Sequence, residues 1–156
     1  MIQAVLVLNQ KGKVRLQRIY DEETFTALGF SVDQVLKELF EKIYQKRSSA
    51  TGDSYANFIG ELETIPSESK VVFRTYATLT FVFVIDEDES ELGILDLIQV
   101  FVEILDNLFK NVCEVDLVFN PHKLGYVLDE LIVDGLVCET SIKEVGNLIT
   151  AMDSIP

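Results

Sequence analysis

Between Ser90 and Phe109 the apolar positions of SELGILDLIQVFVEILDNLF recur with a helical period, yet they occupy too much of the circumference. At about 100° per residue they cover an arc of roughly 220°, where a surface helix facing one core needs little more than about 100°. Ile94, Leu97, Ile98, Phe101, Leu105 and Leu108 form an ordinary core stripe. Leu95, Val102 and Phe109 add a flank on one side, and Val100 with Ile104 a flank on the other. Asp96, Gln99, Glu103, Asp106, Asn107 and Lys110 keep a narrow polar strip. So wide an arc predicts contacts beyond one core, and an isolated chain that associates through the surplus.

Elsewhere the pattern separates strands from helices. Ile2–Leu8 is a continuous apolar run, NQKGK is a glycine-containing turn, and Val14–Tyr20 alternates, so the first twenty residues predict a β-hairpin. Ser31 and Gln34 have capping-box spacing ahead of Val35, Leu36, Leu39, Phe40, Ile43 and Tyr44, which predicts a helix closed by SSATGDS. ANFIGELE and the long run VVFRTYATLTFVFVI predict further strands, the latter central to a sheet. DEDES then places acids at the positive end of the wide helix. After EVDLVF, Asn120 fits an N-cap, Pro121 a first helical position and Gly135 a helix stop, and a last helix is expected from Ser141 with Glu144. The order β-β-α-β-β-β-α-α-α predicts an α+β fold, an antiparallel sheet of about five strands flanked by helices. No linker divides it, so residues 1–156 are read as one domain.

Composition narrows the function classes. With 26 acidic and 13 basic residues the 156-residue chain carries a net charge of −13, which keeps a 48% hydrophobic sequence in solution and argues against nucleic acid as a partner. The start MIQAVLVLNQ has no basic flank and no apolar run reaches the roughly 20 residues of a membrane span, so any membrane association is expected to be peripheral. Cys113 and Cys138 lack CxxC spacing and read as small buried hydrophobes in a reducing, cytoplasmic setting, with disulfide, metal or nucleophile as the alternatives. The single histidine, His122, fits a capping or solvent-facing place better than catalysis, and no nucleotide, hydrolase or metalloprotease motif occurs. No catalytic residue, cofactor or metal ligand is therefore expected. One asymmetry stands out: residues 1–20 hold Lys11, Lys13, Arg15 and Arg18 and no acid. They are either charges that guard an edge strand or a small anion-recognition patch, Lys13 and Arg15 lying two apart on a strand.

MIQAVLVLNQKGKVRLQRIY, TYATLTFVF, ESELGILDLIQVFVEILDNLFKNVCEVDLVFN, LDELIVDG and ET together resemble the sigma subunits of clathrin-adaptor-type complexes, and ESELGILDLIQVFVE is most similar to those of adaptor protein complex three. Asp21–Gly60, Thr75 and Thr80 depart from the usual pattern, the last two standing where a basic or histidine side chain and an aromatic are common. The resemblance implies a longin-like fold and a heterotetramer in which sigma packs on a large, delta-type subunit beside beta and mu subunits. It implies binding of acidic dileucine signals, [DE]xxxL[LI], in the cytosolic tails of membrane proteins bound for lysosome- or vacuole-type organelles. The setting would be the cytosolic face of Golgi and endosomal membranes and transport vesicles. By position, the leucine pocket would comprise Ala77, Leu79, Val102, Asn111, Val112 and Leu117, with Arg15 on the acidic residue. Other adaptor sigmas, a coat zeta subunit or a longin regulatory domain are the alternatives, an enzyme the remote one.

Overall fold

In a computed structural model of the chain, residues 1–49, 58–59, 62–110 and 112–137 are described. β1 (Ile2–Leu8) and β2 (Val14–Ile19) form the expected hairpin, followed by a short α1 (Glu22–Phe25) and the long α2 (Val32–Ser49). β3 (Phe58–Ile59), β4 (Lys70–Tyr76) and β5 (Leu79–Ile85) complete one five-stranded antiparallel sheet in the order β2-β1-β5-β4-β3. α3 (Glu91–Phe109), α4 (Glu114–Phe119), α5 (Pro121–Leu131) and a minimal hairpin, β6 (Ile132–Val133) and β7 (Leu136–Val137), follow. The expected longin-like α+β architecture is thus present.

The continuous apolar runs of β1 and β5 arise because both strands are covered on both faces. Side chains alternate across a strand. Val5, Val7, Phe81, Phe83 and Ile85 therefore join a cluster with α3, α4 and α5, while Ala4, Leu6, Leu8, Val82 and Val84 join another with Phe25, Val35, Leu39 and Ile43 of α1 and α2. Phe81 and Phe101 meet edge to face at 5.6 Å between ring centroids and tie α3 to the sheet, a geometry that adds about 0.5–1.5 kcal/mol to simple burial.

This layering answers most of the α3 puzzle. Val102 and Ile104, one from each flank, are buried, and Leu95, Val100, Leu108 and Phe109 pack partly against the same cluster. The surplus arc is absorbed chiefly by the chain's own sheet and helices, not left as one exposed stripe. The Ser31 capping box is as expected, Ser31 N donating to Gln34 Oε1 at 2.8 Å and Gln34 N to Ser31 Oγ at 3.3 Å, and α3 gains a cap that was not anticipated, Gly93 N donating to Ser90 Oγ at 3.1 Å.

Three expectations are corrected. Gly135 does not stop α5, which ends at Leu131; Ile132 is already extended, and Asp134 (φ 51°) and Gly135 (φ 81°) form the turn between β6 and β7. Two successive residues with positive φ are what a two-residue hairpin turn requires, and Asp-Gly supplies them. Asn120 occupies the N-cap position of α5 without capping it, because its amide donates to Asp116 O at 3.1 Å. Cys113 is exposed: it stands at the N-cap of α4, where its N–H and Sγ both reach Asp116 Oδ2, at 3.0 and 3.3 Å. Cys138 and the helix expected from Ser141 lie outside the described residues.

Candidate functional site

Arg15 owes its direction to an irregularity in β2. Leu8 pairs with Val14 and Val7 with Leu16, so Arg15 has no partner of its own in the ladder. Such a bulge re-aims side chains and breaks the strict alternation that would have set Lys13 beside Arg15. Lys13 lies before the strand, in a turn held by Asn9, whose Oδ1 accepts the N–H groups of Lys11 and Lys13 at 2.9 and 2.8 Å. The other end of the same amide, Asn9 Nδ2, donates to Glu114 Oε1 at 2.9 Å, and Arg15 Nη2 reaches that oxygen at 2.6 Å. These donors, the Asn9 amide first and the Arg15 guanidinium next, hold the Glu114 carboxyl below its ordinary pKa.

Arg18 has a looser and more exposed partner, its Nε lying 3.5 Å from Asp129 Oδ1 of α5. The helix is bare where that guanidinium crosses it, for a Cβ on Gly125 would stand 2.6 Å from Arg18 Nη2. The hairpin is acid-free in sequence and not in space, since α4 and α5 bring a carboxylate to each arginine. Lys11 and Lys13 form no ion pair among the described residues. Between β2 and α5 lies a cleft of about 350 Å³ lined by Arg15, Arg18, His122, Tyr126 and Asp129.

The apolar candidates are brought together on the adjoining side. Leu79, Val102, Val112 and Leu117 share one buried cluster, none more than 4% exposed. Ala77 is exposed in the β4–β5 turn, with φ 55°, and Asn111 lies outside the described residues. Asp106 ties the two ends of this region: its Oδ2 accepts from Tyr76 OH at 2.7 Å and its Oδ1 from Val112 N at 2.9 Å. Thr75 and Thr80, the two unusual positions, prove to be cross-strand partners whose hydroxyls lie 3.1 Å apart. The two departures thus face each other on one cross-strand pair.

Segment 112–117 links both halves, placing Val112 and Leu117 in the apolar cluster and Glu114 against Arg15. Sequence reasoning missed Glu114, Asn9 and Asp106 as organisers. Glu114 is 99 residues from Arg15, and no local spacing announces their meeting.

Residues 1–155 match the family model of the clathrin adaptor complex small chain. Relatives include AP-3 complex subunit sigma-2 of Homo sapiens, 43% identical over 99% of this chain and 76% of the relative. The AP-3 complex subunit sigma of Schizosaccharomyces pombe is 44% identical over 100% of this chain and 87% of its own length, and that of Arabidopsis thaliana 40% identical over 99% and 92%. A chain of a homology model of the full-length AP-3 complex in a stretched open conformation superposes with a TM-score of 0.70 at 33% identity, covering 98% of this chain and 94% of its own. With that likeness running through the hairpin, the sheet, α3 and the segment that joins Arg15 to the apolar cluster, the chain belongs to the clathrin adaptor complex small chain family.

Proposed function

We propose that this chain is the sigma subunit of an AP-3-type heterotetramer, packed on a delta-type large subunit beside beta and mu subunits, and that it helps capture acidic dileucine signals of membrane cargo. It would work by recognition and not catalysis, on the cytosolic face of Golgi and endosomal membranes, toward lysosome- or vacuole-type organelles. Membrane association would come through the complex. The observation that carries the reading is the continuity of segment 112–117, which joins an apolar cluster containing Leu79, Val102, Val112 and Leu117 to Arg15 through Glu114.

In the chain by itself those apolar side chains are buried in one cluster, so entry of a ligand leucine requires the cluster to open. Ala77 in the exposed β4–β5 turn would border that opening. Burying two leucines yields about 3–6 kcal/mol gross, offset by the ordering of a flexible tail, so a single signal should bind at about micromolar strength or weaker. Useful capture then depends on holding adaptor and cargo on one membrane.

The test is calorimetry on the assembled complex with a [DE]xxxLL peptide and its double-alanine counterpart. Binding should vanish with the two leucines. Equal binding of both peptides would remove the dileucine reading and leave the chain an assembly subunit alone.

A further inference from the structure

Arg15 does not present an open charge. Its Nε and Nη2 both donate to Glu114 Oε1, at 2.9 and 2.6 Å, and Asn9 Nδ2 donates to the same oxygen. Three donors thus converge on one carboxylate oxygen. Arg15 Nη1 and Glu114 Oε2 take no hydrogen bond among the described residues. A guanidinium offers two forked edges. Glu114 fills the Nε–Nη2 edge and leaves the other one.

We infer that Glu114 is an internal acid standing where the ligand's acid would act, and that it sets how much weight the upstream carboxylate of a dileucine signal carries. The inference rests on the peptide-recognition reading above. A ligand carboxylate that approaches the remaining edge of Arg15 is attracted by a cation already matched and is repelled by the carboxylate that matches it. The pair is only 21% and 30% exposed, so water and salt screen this competition incompletely. The nearby Arg18 has its own acid, Asp129 Oδ1, 3.5 Å from its Nε. Lys13 is close enough to act on Glu114 as well, and loss of the Glu114 charge makes the region one unit more positive. Glu114 also sits between Val112 and Leu117, so a ligand acid that displaces it acts on the segment lining the leucine site.

The experiment compares two dileucine peptides that differ only in having glutamate or alanine at the acidic position. Each is titrated into the complex carrying the natural chain, Glu114→Gln or Glu114→Ala. The affinity ratio of acidic to neutral peptide should rise about three- to tenfold in Glu114→Gln, with the neutral peptide altered less than about twofold. The acidic peptide should also become more sensitive to salt. Glu114→Ala should move the ratio in the same direction; a fall would mean that Glu114 serves only to orient Arg15. An unchanged or lower ratio in both variants, with the neutral peptide still bound, overturns the inference alone. Failure of the natural complex to bind either peptide overturns the underlying reading instead. Variants that no longer assemble would mark Glu114 as a structural clamp and also overturn it.

Discussion

Tyr20 shows how a single residue departs from what its sequence neighbours suggest. It closes the alternating strand VRLQRIY and was legible there as an apolar position. Its hydroxyl, however, is buried without a hydrogen-bond partner, and burial together with the nearby Asp129 charge pushes its pKa up to about 12. A buried hydroxyl without a partner carries an uncompensated desolvation cost that phenylalanine lacks while keeping the ring, so Tyr20→Phe should leave stability unchanged or raise it by up to about 1 kcal/mol in urea denaturation. A loss beyond about 1 kcal/mol would mean that ordered water satisfies the oxygen. Local residue signals are readable where the physics is local: Ser31 and Gln34 cap each other within one turn. Arg15 was readable as a cation, but its partner Glu114, supplied from a separate helix, was not.

At the scale of elements, the boundary that failed is the most instructive one. The punctuation of NPHKLGYVLDELIVDG predicts a helix running to a terminal glycine, although Ile-Val followed by Asp-Gly is also a hairpin signal. The structure follows the hairpin, and tertiary contact explains why: Ile2 N donates to Gly135 O at 2.8 Å, so the turn is docked on the first residue of β1. A Cβ at Gly135 would lie 2.4 Å from Ile2 O, whereas one at Gly29, which also has positive φ, would meet nothing within 4 Å. Gly29→Ala should therefore cost only the backbone penalty of about 1–2 kcal/mol, and Gly135→Ala more, since steric overlap with fixed backbone is added. Paired thermal melts of the two variants would check the ordering; equal losses would show that the Gly135 turn can lift away from β1. EVDLVF was legible as apolar but not as α4, because six residues carry too little period to separate a strand from a short helix.

The whole molecule turns the opening question around. The sequence pointed to α3 as the surface awaiting a partner, and α3 spends most of its surplus on its own sheet and helices. Helical periodicity says how wide an apolar arc is and not which neighbour covers it, so the fold class was legible while the location of the exposed surface was not. That surface lies farther on: Val115, Val118 and Phe119 of α4, Tyr126 of α5, and Val133, Leu136 and Val137 of the last hairpin are all at least 40% exposed, with Phe119 reaching 79%. Exposed apolar side chains scattered singly need no explanation, whereas several on consecutive short elements make α4 to β7 the stretch to test for a contact surface. No helix among the described residues is long and apolar enough to cross a membrane. Phe119→Ser should accordingly leave the melting temperature of the chain within a few degrees, because the ring packs on little of its own structure. Its recovery with the co-expressed large subunit should fall markedly. Leu92→Ser, at the start of α3 and 72% exposed, provides the control, since it lies outside the α4–α5 group. Equal recovery of both variants with the large subunit, alongside a natural chain that runs as a stable monomer by itself, would return α4 to the status of an ordinary wet surface and move the search for the partner's footprint back toward α3.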